Sequence, residues 1–102
     1  MIALLFSIPA WAQELPKFDP AKHCKTVSEF AGQGSSNMIY NGCIDMEQRA
    51  YNGLKDSWEN VDTKTRSHCI SIAQVGGSSY STLKGCVDME SKAGSDKSEF
   101  EF

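Results

Sequence analysis

The sequence predicts an all-α fold made of two tandem antiparallel helical hairpins, each stapled by a disulfide and packed together as one small bundle. Three observations carry this: a near-repeated phrase, four cysteines in two similarly spaced pairs, and helical spacing of the apolar residues. GCIDME at residues 42–47 returns as GCVDME at 85–90, so Gly42, Cys43, Asp45, Met46, Glu47 and Ala50 overlie Gly85, Cys86, Asp88, Met89, Glu90 and Ala93 at an offset of 43. His23-Cys24 matches His68-Cys69 at an offset of 45. The two-residue difference falls in the Gly/Ser-rich stretches GQGSSN and GGSSY, where insertions are best tolerated.

The cysteines give the geometry. The midpoint of Cys24 and Cys43 is 33.5, inside AGQGSS, and that of Cys69 and Cys86 is 77.5, inside VGGSSY. If each glycine stretch turns an antiparallel helical hairpin, equal rise on both arms brings the two cysteines of each repeat level. Of the three connectivities open to four cysteines, this symmetry selects Cys24 with Cys43 and Cys69 with Cys86.

Taken in order, the elements have local signals. Asp19-Pro20 supplies an N-cap and a proline at the first helical position, and the arm to Ala31 places Cys24, Val27 and Ala31 on one stripe, with Gly32 as the stop. Ser35 or Ser36 caps a second helix, along which Ile39, Cys43, Met46, Ala50, Leu54, Trp58 and Val61 recur at steps of three or four. Asn52-Gly53 predicts a kink or break in it. A third helix runs from Asp62 or Thr63 to Val75 with Cys69 and Ile72 inward, and a fourth from Ser79 to Ala93 with Leu83, Cys86 and Met89 inward.

Within 102 residues there is room for one domain, and 40% hydrophobic with 23% charged residues suits a globular chain. Residues 1–12 read as a secretory signal peptide, an apolar run ending in Ala10-Trp11-Ala12 before Gln13. Its charged n-region is missing, which places the expected start codon further upstream. A single helical domain follows over 13–94, with repeat 1 at about 19–53 and repeat 2 at about 62–94; 95–102 reads as a flexible tail. The opening run is too short to span a membrane. Four cysteines in an exported chain point to an oxidising compartment, periplasmic or secreted.

A net charge of −3 without a basic patch argues against nucleic acid as a partner. The repeated acids are not paired for acid/base work, since Asp45 and Glu47, like Asp88 and Glu90, are two apart and point to different sides of a helix. They read as helix-surface groups, with Asp45–Arg49 and Asp88–Lys92 as i,i+4 pairs. The two His-Cys dipeptides raise zinc, but neighbouring side chains on a helix diverge by about 100° and export favours disulfides, so no metal, cofactor or catalytic residue is assigned. His23 and His68 remain as exposed histidines able to sense pH. Neither cysteine pair has the C-x-x-C spacing of a redox site, and no nucleophile motif or phosphate loop is present. The chain reads as non-enzymatic. Expected partner contacts are Tyr80 and Ser79, at the tip of the second hairpin, and Trp58, although Trp58 also continues the apolar stripe.

The series Cys24, Cys43, Trp58, Arg66, Cys69, GGSSY and Cys86 resembles small four-cysteine helical proteins of the bacterial cell envelope. It is also distantly similar to the LprI-type lysozyme-inhibitor domain, in which two helical disulfide hairpins are joined by a segment carrying Trp, Arg and Cys. The likeness covers about residues 23–90. Eight positions separate Trp58 from Arg66, more than that compact segment has, and no inhibitory residue is carried over. The resemblance implies a protein-binding module, with a lysozyme-type hydrolase among its candidate partners; the alternative is a stress-protective, chaperone-like envelope protein. A monomer and a homodimer are both open.

Overall fold

The computed structural model describes residues 14–30, 36–95 and 100–102. The expected signal peptide, the first hairpin turn with its Gly32 stop, and residues 96–99 of the expected tail lie outside them. Among the described residues there are four α-helices and no strand: α1 (Pro20–Phe30), α2 (Ser36–Ser57), α3 (Thr63–Val75) and α4 (Tyr80–Ser95), with a 3₁₀ turn at Trp58–Asn60. The disulfides join Cys24 to Cys43 and Cys69 to Cys86, each with Cα atoms 5.5 Å apart, so both hairpins are stapled as the symmetry requires.

Helix ends follow local chemistry. Asp19 Oδ1 accepts from the Lys22 N–H at 3.1 Å and opens α1. Asp62 does the same for α3, accepting from the Thr65 N–H at 2.8 Å, and that N–H with the Thr65 hydroxyl holds the Asp62 carboxyl below its ordinary range. At the other end of α3, Ser78 N–H reaches back to Ala73 C=O at 2.8 Å and Gly76 N–H to Ile72 C=O at 3.1 Å. This Schellman closure needs a left-handed residue, and Gly77 supplies it with φ +95°.

The expected break at Asn52-Gly53 is absent. α2 runs through it to Ser57, because Leu54 and Trp58 lie deep in the core and burial outweighs the roughly 1 kcal/mol propensity cost of one glycine. Ala50, Leu54, Trp58 and Val61 join Cys69, Ile70, Ala73, Tyr80, Leu83 and Val87 in one buried cluster. Three residues expected inward point out instead: Met46 is 61% exposed, Met89 73% and Ile72 42%.

The helices pack in the order α1, α2, α4, α3, with α2 and α4 as the central pair. These two run parallel, since Glu47 meets Ser79 to Ser81 while Gly53, six residues on, lies against Lys84. In repeat register Tyr80 corresponds to position 37, so repeat 2 is displaced by ten residues, about 15 Å, along the helix axis. The repeats are therefore not environmentally equivalent.

The segment before α1 straps across the pair. Tyr80 packs between Phe18 and Tyr51, with both ring centroids 4.9 Å away, and its hydroxyl accepts from Phe18 N–H and donates to Pro16 C=O, each at 2.8 Å. Replacing Tyr80 by Phe removes both bonds and keeps the ring. We expect a loss of about 1–2 kcal/mol and faster proteolysis near Lys17; unchanged cleavage kinetics would show that the strap is held by packing alone.

Candidate functional site

The residues expected to form a contact surface are not offered to solvent. Tyr80 is 4% exposed, Ser79 2% and Trp58 5%. The reason is that the α3–α4 turn is complete at Ser78, so Tyr80 is the first residue of α4 and faces the core. Trp58 is covered by Arg66, whose guanidinium lies 5.3 Å from its ring centroid and donates to Trp58 C=O at 2.6 Å. The Trp–Arg–Cys segment thus closes the junction between the hairpins.

Two features replace that surface. The first is Glu47, expected on the helix exterior but only 2% exposed. Its carboxylate accepts from Ser79 Oγ (2.8 Å), Tyr80 N–H (2.8 Å), Ser81 N–H (3.0 Å) and Ser81 Oγ (2.6 Å). α4 has no acid in its own first turn, so a side chain from repeat 1 caps the second helix of repeat 2. Burial pushes this carboxyl up, but the hydroxyl and N–H of Ser81, the Ser79 hydroxyl and the Tyr80 N–H outweigh it and hold the group below its ordinary range. Saturated by internal donors, Glu47 is a structural anion.

Its repeat counterpart, Glu90, is exposed, with Oε1 3.7 Å from Nε2 of His68. Asp45 pairs with Arg49 at 2.9 Å as expected, whereas Asp88 pairs with Lys84 at 2.7 Å, one turn before it rather than after. All four thiols are taken by disulfides. His23 sits by the second turn, its Nδ1 3.3 Å from where a Cβ on Gly77 would stand.

The second feature is an apolar track. A groove of about 470 Å³ lies between α1 and α2, lined by Val27, Met38, Ile39, Gly42, Cys43 and Met46 among others. A groove of about 350 Å³ occupies the matching place in repeat 2, lined by Ile72, Thr82, Gly85, Cys86, Met89 and Glu90. Position by position, Val27, Ile39, Gly42, Cys43 and Met46 of the first correspond to Ile72, Thr82, Gly85, Cys86 and Met89 of the second. A third depression between α2 and α4 shares Met46 and Ser81 with the first groove and Gly85 with the second, so the three join into one surface. Each groove runs beside a disulfide, which fixes the spacing of its walls.

This surface was half visible in the sequence. The duplicated Gly-Cys-x-x-Met is its floor and rim, but methionines at helical spacing read as core. No protein-family model matches the chain, no curated protein is detectably similar to it, and no solved structure shares a detectably similar fold.

Proposed function

We propose that this chain is a small exported, non-enzymatic protein-binding module that engages its partner along the apolar track. The observation that supports this is the continuous run of exposed Met38, Met46 and Met89 with Val27 and Ile72 across both hairpins. Contiguous apolar surface of that kind marks interaction sites, and flexible methionines suit a groove that must fit another protein's side chains. Two disulfides fit an oxidising compartment, periplasmic or extracellular, and no described helix is long and apolar enough to cross a membrane.

The resemblance to lysozyme-inhibitor domains supplies the first partner to try, a lysozyme-type hydrolase. Chaperone-like protection is the second reading, favoured by the same adaptable methionines. Oxidised protein bearing Met46→Asp and Met89→Asp should keep its thermal midpoint, because both side chains are solvent-facing, and should lose capture of its partner from envelope extract. Saturable inhibition of a folded hydrolase supports the specific binder; suppression of aggregation of many reduced clients supports the protective reading. Capture unaffected by the double substitution rejects the track as the binding surface.

A further inference from the structure

We propose that Met38, Met46 and Met89 are sulfoxidation sites, at which a peroxide turns the apolar track polar while the fold stays intact. This rests on the reading of that track as the partner contact and gives the same surface a chemical switch.

Methionine is ordinarily among the most buried residue types, yet none of the described ones is buried here. After Met1 the chain has three, and Met38, Met46 and Met89 are 73%, 61% and 73% exposed. They are spread so that each part of the track holds one. Met38 and Met46 line the first groove, Met46 also lines the depression between α2 and α4, and Met89 lines the second groove. Met46 and Met89 are counterparts in the two repeats, so the thioether is written into both.

For a two-electron oxidant the competing target would be a thiolate. All four cysteines are closed in disulfides, so no thiolate competes. The thioether sulfur attacks one oxygen of the peroxide. An S–O bond forms as the O–O bond breaks, and the proton passes to the departing oxygen, which leaves as water or as an alcohol. Sulfur gives up two electrons and the peroxide accepts them. A flexible apolar side chain is thereby replaced by a polar, chiral sulfoxide.

The position of these sulfurs decides the consequence. Among the described residues the buried cluster around Leu54, Trp58 and Leu83 contains no methionine, so oxygen is added without opening the core. A disulfide beside each groove keeps its walls in place. The track therefore changes polarity at constant shape. An apolar partner covering it must then desolvate up to three sulfoxide oxygens, each a strong acceptor with no donor supplied. Val27 and Ile72, 36% and 42% exposed, are the aliphatic side chains left to attract it.

The test treats the disulfide-intact full chain with hydrogen peroxide and follows each methionine by peptide mass spectrometry. Retention on a phenyl column, the urea midpoint and partner capture from envelope extract are measured alongside. We expect Met38, Met46 and Met89 to gain one oxygen each at rates close to that of free methionine, with the urea midpoint level and retention reduced. Capture should weaken roughly tenfold or more for each methionine the partner covers. A variant carrying Met38→Leu, Met46→Leu and Met89→Leu keeps the apolar volume without the sulfur, and should hold both retention and capture through the same treatment. Retention and capture that survive sulfoxidation of all three methionines overturn the proposal. So does a urea midpoint that falls in step with oxygen uptake, or a leucine variant that peroxide disables equally. If the untreated chain captures nothing while oxidation still lowers the retention of wild type alone, the modification stands and the binding-module reading falls. If Met46→Asp with Met89→Asp abolishes capture but sulfoxidation leaves it unchanged, the binding module stands without the switch.

Discussion

Replacing Glu47 by alanine should destabilise the oxidised protein by about 3 kcal/mol, read as a fall in the urea midpoint with little change in slope. The carboxylate accepts four hydrogen bonds from Ser79, Tyr80 and Ser81, and two of those donors are backbone N–H groups in the first turn of α4. Alanine leaves them facing a gap inside the repeat–repeat contact, and each stranded donor costs on the order of 1 kcal/mol or more. Glu47→Gln keeps the shape but turns an N–H₂ toward donors, so it should fall between wild type and alanine. A loss under about 1 kcal/mol for the alanine variant would mean that water replaces the carboxylate, and the cap would then not be what joins the repeats.

The same group sets a pH dependence. Its folded carboxyl is held below the ordinary range, so the stabilisation is fully present above the unfolded value of about 4.3 and is lost as pH falls through the folded value. The gap in urea midpoint between wild type and Glu47→Gln should be constant from neutral pH to about 5 and close below about 4. A gap that stayed open down to pH 2, or widened on acidification, would reverse the sign and remove the carboxylate's charge from the account.

Reading such a group from the sequence is hard for an identifiable reason. Ala50 lies seven positions after Cys43, and a helix face that includes both can pass through position 46 or position 47. Hydrophobicity favours Met46, but Glu47 lies three before Ala50 and seven before Leu54, nearer the middle of the buried face. The informative sign was a vacancy elsewhere: α4 has no acid in its first turn. The disulfide pairing was legible because it depends only on equal rise along two arms, and the caps at Asp19 and Asp62 were legible because they are local. Tyr80 was misplaced because GGSSY looks like one turn, whereas the Schellman closure ends at Ser78 and the next two residues already belong to the core. Duplication added its own error, since it suggested equal roles for Glu47 and Glu90, and the ten-residue displacement of the repeats puts one in the junction and the other in solvent.

That displacement also makes the two disulfides unequal, which leads to the other large effect. In the chain-entropy view each bridge closes a loop of under 20 residues and contributes about 3 kcal/mol, so reducing both removes about 6 kcal/mol from a domain whose total is typically 5–15. Reduced protein should be largely unfolded at 37 °C. Removed singly, the bridges should differ in kind. Cys69 belongs to the main buried cluster with Ile70, Ala73, Leu83 and Val87, so Cys69→Ala with Cys86→Ala should lower the global unfolding midpoint. α1 buries only Cys24 and Ser28, while Phe30 is 88% exposed, so Cys24 is the one apolar side chain that α1 buries fully, and Cys24–Cys43 is its covalent tie to α2. Cys24→Ala with Cys43→Ala should therefore release α1 locally, with rapid hydrogen exchange confined to about residues 20–30 and near-normal protection in α3 and α4. Equal loss of protection across all four helices in that variant would show that α1 is integral to the cooperative unit. The wall of the first groove would then be set by the whole fold and not by one bridge. Protection of α1 retained without the bridge would instead mean that contacts of His23 and the strap suffice to hold it.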